Sequence, residues 1–134
     1  MFTVLCLLFI NCMKKILFIE DESVLQKTFE KTLREEGYEM ISALDGETGF
    51  NLAKSQKPDL ILLDLILPKI NGFEVLEKLK KEPATKEIPV IILTNLERMS
   101  DIDKALELGA TTYLVKVDYS LEEVVEKIKK TLGE

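Results

Sequence analysis

PDLILLDLILPKINGFEVL, running from Pro58 to Leu76, is the stretch that decides the fold. Within it Leu60 to Asp64 is a short run of branched apolar residues that closes on one carboxylate. A strand with one wet face alternates apolar and polar residues, so an unbroken apolar run of this length reads as a strand buried on both faces. Four similar runs lie on either side: Ile16 to Ile19, Tyr38 to Ala43, Val90 to Leu93 and Thr112 to Val115. Helical patterns separate the five runs, which predicts an α/β fold with a parallel sheet covered on both faces.

The helix signals are local. Ser120 with Glu123 three residues on forms a capping box, and Leu121, Val124, Val125, Ile128 and Leu132 then share one face. The first helix carries Leu25, Phe29 and Leu33 on a stripe and stops at Gly37; the fourth groups Ile102, Ala105 and Leu106 and stops at Gly109. Pro58 and Pro89 stand just before strands, where a missing amide donor costs little.

The length of 134 residues fits one domain, and 46% hydrophobic with 31% charged residues is an ordinary globular composition. A net charge of −6 without clustered Lys, Arg and aromatic residues argues against direct nucleic-acid binding. The chain contains no His, which removes imidazole bases, imidazole metal ligands and a phosphohistidine carrier, and leaves carboxylates, Lys and hydroxyls to carry chemistry. Both cysteines, Cys6 and Cys12, lie in the first twelve residues, so no disulfide framework is expected and a cytoplasmic location is.

Residues 1–12, MFTVLCLLFINC, are almost wholly apolar and precede Met13, Lys14 and Lys15. They lack the basic start and small-residue cleavage site of a secretory signal and are shorter than a membrane span. We read them as an extension, with Met13 as the working start; an added strand or dimer contact and a weak membrane contact are the alternatives. No membrane insertion is expected. Residues 13–134 are read as one domain with no further domain after the fifth helix.

Ligands of open parallel sheets bind at the carboxyl ends of the strands. There the chain places Glu20, Asp21 and Glu22 after the first strand, Asp64 after the third, Thr94 and Asn95 after the fourth, and Lys116 after the fifth. If the first and third strands are neighbours about 5 Å apart, Glu20, Asp21 and Asp64 converge. Clustered carboxylates repel unless a cation sits among them, and an all-oxygen site suits Mg2+. Lys116 and the Thr94 hydroxyl can then hold phosphate oxygens, with Asp64 as a carboxylate nucleophile. Singly, each residue reads as loop or cap chemistry; their shared position on one sheet edge gives them weight together.

The segments ILFIEDE (Ile16 to Glu22), PDLILLDLILPKINGFEVL, IPVIILT (Ile88 to Thr94) and GATTYLVK (Gly109 to Lys116) resemble the receiver domains of bacterial two-component response regulators, over Met13 to Glu134. The resemblance implies a doubly wound, flavodoxin-like sheet in the order 2-1-3-4-5 with five helices. It implies Asp64 as phosphoacceptor, Asp21 as a direct ligand of Mg2+ (or Mn2+), Glu20 as a ligand through water, and Ile66 as a ligand through its backbone carbonyl. Thr94 and Lys116 would contact the phosphoryl group, and Tyr113, three residues before the Lys, would rotate as Thr94 moves. The phosphoryl group would come from a histidine kinase or phosphotransfer protein, or from acetyl phosphate, and be lost by autodephosphorylation. The readout would be the face of the fourth helix, fifth strand and fifth helix, acting on a downstream protein, in a regulator of one domain that is not a conventional enzyme.

Two features depart from the family pattern. Lys116 is followed by Val117 where the family usually has Pro, often after a cis bond, so a trans bond and an altered loop are expected. Ile66 and Leu96 put apolar bulk beside the position of an attacking water, which predicts slow autodephosphorylation. Rival readings fit less well. An aspartate-nucleophile phosphohydrolase similar to haloacid dehalogenases wants an acid where Ile66 stands. A flavodoxin-like FMN carrier would meet repulsion from Glu20, Asp21 and Glu22. An unphosphorylated interaction domain would not need the acidic cluster, Asp64, Thr94 and Lys116 together.

Overall fold

The computed structural model describes residues 13–134. The expectations for residues 1–12 lie outside the described residues.

Five strands, β1 (Lys15–Ile19), β2 (Glu39–Ala43), β3 (Leu60–Leu63), β4 (Val90–Thr94) and β5 (Thr112–Val115), alternate with five helices. These are α1 (Ser23–Glu35), α2 (Gly46–Gln56), α3 (Gly72–Lys81), α4 (Met99–Glu107) and α5 (Leu121–Thr131). All strand pairs are parallel and the sheet order is β2-β1-β3-β4-β5, as the resemblance implied.

Alternate residues of each central strand feed two cores. Leu17, Ile19, Ile61, Leu63 and Ile92 pack with Ala53 of α2, Val75, Leu76 and Leu79 of α3 and Ala105 of α4. Ile16, Phe18, Leu60, Leu62 and Ile91 pack on the other face with Phe29 and Leu33 of α1 and Val124, Val125 and Ile128 of α5. Burial on both faces therefore holds for β1, β3 and β4. It fails for β2 and β5, where Glu39 and Ser42 are exposed and Thr112, Tyr113 and Val115 half-buried, because an edge strand has a neighbour on one side only.

The helix ends follow the sequence signals. Gly37 and Gly109 adopt φ of +92° and +108° after α1 and α4, the left-handed region that glycine enters without a Cβ penalty. The Ser120–Glu123 capping box forms at α5. Leu106 departs from expectation: it is 46% exposed, since only Ala105 of α4 faces the sheet squarely. Among the described residues no helix is long and apolar enough to cross a membrane.

Candidate functional site

The register of the central strands builds the site. Ile19 pairs with Leu63, and the Asp64 amide donates to the Ile19 carbonyl at 3.0 Å, so the residues that follow, Glu20 and Asp64, emerge side by side. Thr94 pairs with Val115, which sets Lys116 one residue beyond the end of β4. Side chains from three strand ends thus share one edge.

Glu20 and Asp64 are 1% and 4% exposed, while Asp21 lies open on the loop. One carboxylate oxygen from each of Glu20, Asp21 and Asp64 lies within 4.8 Å of the others. The Lys116 ammonium donates to Glu20 Oε1 and, at 2.8 Å, to Asp64 Oδ2. The other Asp64 oxygen, Oδ1, accepts from the Ile66 amide at 3.1 Å, and Glu20 Oε2 accepts from the Glu22 amide at 3.2 Å. Both buried acids are thereby oriented before any ligand arrives.

Three carboxylates face one ammonium, so the ionised cluster keeps excess negative charge. Burial pushes the Glu20 carboxyl up to about 7; the Lys116 hydrogen bond opposes this and the Asp64 charge adds to it. For Lys116 burial acts downward, but the hydrogen bonds to Asp64 and Glu20 outweigh it and hold the ammonium above the usual lysine range. A hard divalent cation fits this donor set: it consists of oxygen anions, has an electrostatic need for a cation, and opens to water at Asp21. Asp21, Asp64 and Glu20 would hold it.

Thr94 is fully buried at the end of β4. Its Oγ1 accepts from the Leu96 amide at 3.4 Å, which leaves the hydroxyl proton free to be donated elsewhere. The Leu96 carbonyl in turn accepts from the Tyr113 hydroxyl at 2.7 Å. One backbone residue therefore links Thr94 to Tyr113. Tyr113 is already turned toward the β4–α4 loop, and burial, with the Asp101 and Asp64 charges, pushes its hydroxyl up to about 12. Ile66 is 53% exposed. No cis peptide bond occurs among the described residues, so Lys116-Val117 is trans, and a turn of 3-10 helix at Lys116–Asp118 follows it.

Two residues escaped the sequence reading. Gly72, at the start of α3, donates to the Leu65 carbonyl at 3.0 Å; a Cβ there would lie 2.4 Å from both the Asp64 carbonyl oxygen and Leu65 Cα. Gln26 of α1 is 3% exposed and was hidden by its polarity. The available signal was its spacing: Gln26, Phe29 and Leu33 are the buried residues of α1, a polar residue at the head of an apolar stripe.

Comparison with known proteins finds relatives of this fold. The model of the response regulator receiver domain family matches residues 16–129. A probable transcriptional regulator, ycf27, of Porphyridium aerugineum is 40% identical over 119 residues, covering 89% of this chain and 48% of the relative. The chain spans about half the length of these curated relatives. The receiver domain of the sensor histidine kinase PA1611 from Pseudomonas aeruginosa PAO1, with magnesium coordinated in its active-site cleft, superposes with a TM-score of 0.82 at 28% identity, covering 92% of this chain and 100% of that one. The phosphorylated cyanobacterial phytochrome response regulator RcpA gives a TM-score of 0.78 at 30% identity, with coverages of 90% and 94%. Because several relatives are described as transcriptional regulators, the expectation of no nucleic-acid partner draws no support from them; the acidic charge speaks for this segment alone. The chain belongs to the response regulator receiver domain family of two-component signalling.

Proposed function

We propose that this domain accepts a phosphoryl group on Asp64 from a histidine kinase or phosphotransfer protein and uses it to switch a protein-binding surface. The observation that carries the reading is the pairing of the buried Asp64 with Lys116 inside a cluster of three carboxylates. The proposed workplace is the cytoplasm, where such donors act.

A divalent cation, Mg2+ or Mn2+, would supply charge neutralisation for the incoming phosphoryl oxygens. Asp21 and Asp64 would hold it directly, Glu20 through water, with Ile66 adding its backbone carbonyl. An Asp64 carboxylate oxygen attacks phosphorus, a P–O bond forms, and the P–N bond of the phosphohistidine breaks with its electron pair returning to the imidazole. Lys116 holds one phosphoryl oxygen as a point charge and the free Thr94 proton is donated to another. Hydrolysis is the attack of water on the same phosphorus, releasing phosphate and restoring the carboxylate.

The Thr94–Leu96–Tyr113 chain supplies the switch. As Thr94 is drawn toward the phosphoryl group, its bond to the Leu96 amide loosens and the Leu96 carbonyl that anchors Tyr113 moves. The α4-β5-α5 face, to which β5 contributes Tyr113, then shifts population between two states. The apolar Ile66 and Leu96 slow hydrolysis; an unchanged phosphoryl lifetime after both are made polar would contradict that part.

Incubation with Mg2+ and acetyl phosphate, followed by intact mass measurement, tests the reading. Wild type should gain one acid-labile phosphoryl group and Asp64→Asn none. An adduct that survives the substitution would overturn the assignment.

A further inference from the structure

Beyond β1 the chain leaves the sheet just where Glu20 and Asp21 must be placed. The last backbone bond there runs from the Glu20 amide to the Ala43 carbonyl at 3.0 Å. Gln26 continues the lattice. The two protons of its Nε2 are shared among the carbonyl oxygens of Phe18 at 2.9 Å, Glu20 at 3.0 Å and Ala43 at 3.0 Å, and its Oε1 accepts from Ser42 Oγ at 2.8 Å. One buried amide therefore ties α1 to the ends of both β1 and β2.

We infer that Gln26 is a positioning residue for the acidic site, fixing the peptide group between Glu20 and Asp21 so that their carboxylates converge with Asp64 on a hard divalent cation. The inference rests on the reading of those three acids as a cation site. Of the carbonyls that Gln26 engages, that of Phe18 lies in β1 and that of Glu20 just beyond its end, and the Glu20 carbonyl belongs to the peptide that leads into Asp21. Like-charged side chains push that peptide apart, and a hydrogen bond from a neutral amide resists the push without adding a charge that would compete with the cation. A hydrocarbon of the same shape would leave the Glu20 carbonyl without this donor. Groups that orient the ligands of a metal without touching it typically change its affinity by about 10–100-fold.

The test is calorimetric titration of the whole chain with Mg2+, using wild type, Gln26→Leu, Ser42→Ala and Ile128→Val, together with amide hydrogen exchange at Asp21 in the cation-free proteins. Gln26→Leu should weaken binding by about 10-fold or more and speed exchange at Asp21. Ser42→Ala, which frees the amide to turn, should move both readouts the same way by less. Ile128→Val loses stability in the core that α1 shares with α5 but keeps the Gln26 bonds, and should leave both unchanged. A folded Gln26→Leu that binds within about twofold of wild type overturns the inference. Should that variant not fold, Ser42→Ala with wild-type affinity and exchange overturns it instead. A wild type that binds no Mg2+ removes the cation site itself, and this inference with it.

Discussion

Lys116 is the counter-charge of the site. With its side chain 19% exposed and those of Glu20 and Asp64 1% and 5% exposed, the pairing is largely shielded from solvent. Replacing it by Met strands two buried carboxylates, and we expect Lys116→Met to lose about 3–5 kcal/mol at pH 8 without divalent cation, recovering in part when Mg2+ is added. Urea unfolding measures both. Glu20 sets the pH dependence. A carboxyl whose folded pKa exceeds its unfolded value favours folding only while protonated, so the contribution of Glu20 is complete below 4.5 and lost as pH rises through about 7. The cation-free protein should lose stability across that window, Glu20→Gln should flatten the loss, and Mg2+ should offset it most at the upper end. Asp45 acts oppositely and lower: its bond from the Thr48 amide depresses its pKa below 3.8, so its contribution is lost only as pH falls below that value. A urea midpoint that rises with pH through the Glu20 window would contradict the charge balance drawn here.

The β3–α3 connection is the element on which the proposed nucleophile, Asp64, depends. The Asn71 side chain caps α3 by accepting from the Glu74 amide at 3.1 Å, and Gly72 lets the helix start press against the backbone of Asp64 and Leu65. Because the atoms a new Cβ would meet are backbone, Gly72→Ala should cost about 1–3 kcal/mol and also lower phosphoryl uptake, whereas Asn71→Ala should cost about 1 kcal/mol and spare the uptake. Elements of this kind divide into what a sequence displays and what it hides. Strand runs, glycine stops and the α5 cap are legible because each is written in neighbouring residues. Glu20, Asp21, Asp64, Thr94 and Lys116 are legible because they directly follow strands, and parallel pairing brings such positions to one edge. Gly72 and Gln26 are not, because their reasons are contacts with backbone more than five residues away. Edge-strand exposure is likewise a property of the sheet order, which the apolar runs of β2 and β5 do not encode.

At the scale of the molecule, the two cores on either face of the sheet bury β1, β3 and β4, and the candidate site lies at their carboxyl ends. A ligand that binds only the folded state raises stability by mass action, so Mg2+ at about 100 times its Kd should add about 2.7 kcal/mol; Asp21→Asn, at the exposed carboxylate of the proposed cation site, should remove most of that increment without disturbing either core. The proposed switch is likewise a property of the whole, because it would join β4, its loop and β5 through Leu96. Tyr113→Phe should keep phosphoryl uptake and lose the phosphorylation-dependent change in amide exchange over α4 and β5. The most direct test of the central claim is chemical trapping: the phosphorylated protein is reduced with borohydride, which converts an acyl phosphate on aspartate to homoserine, and the peptides are sequenced by mass spectrometry. The account predicts homoserine at position 64 and nowhere else; homoserine at another acidic residue, or none in a protein that carries phosphate, would contradict it.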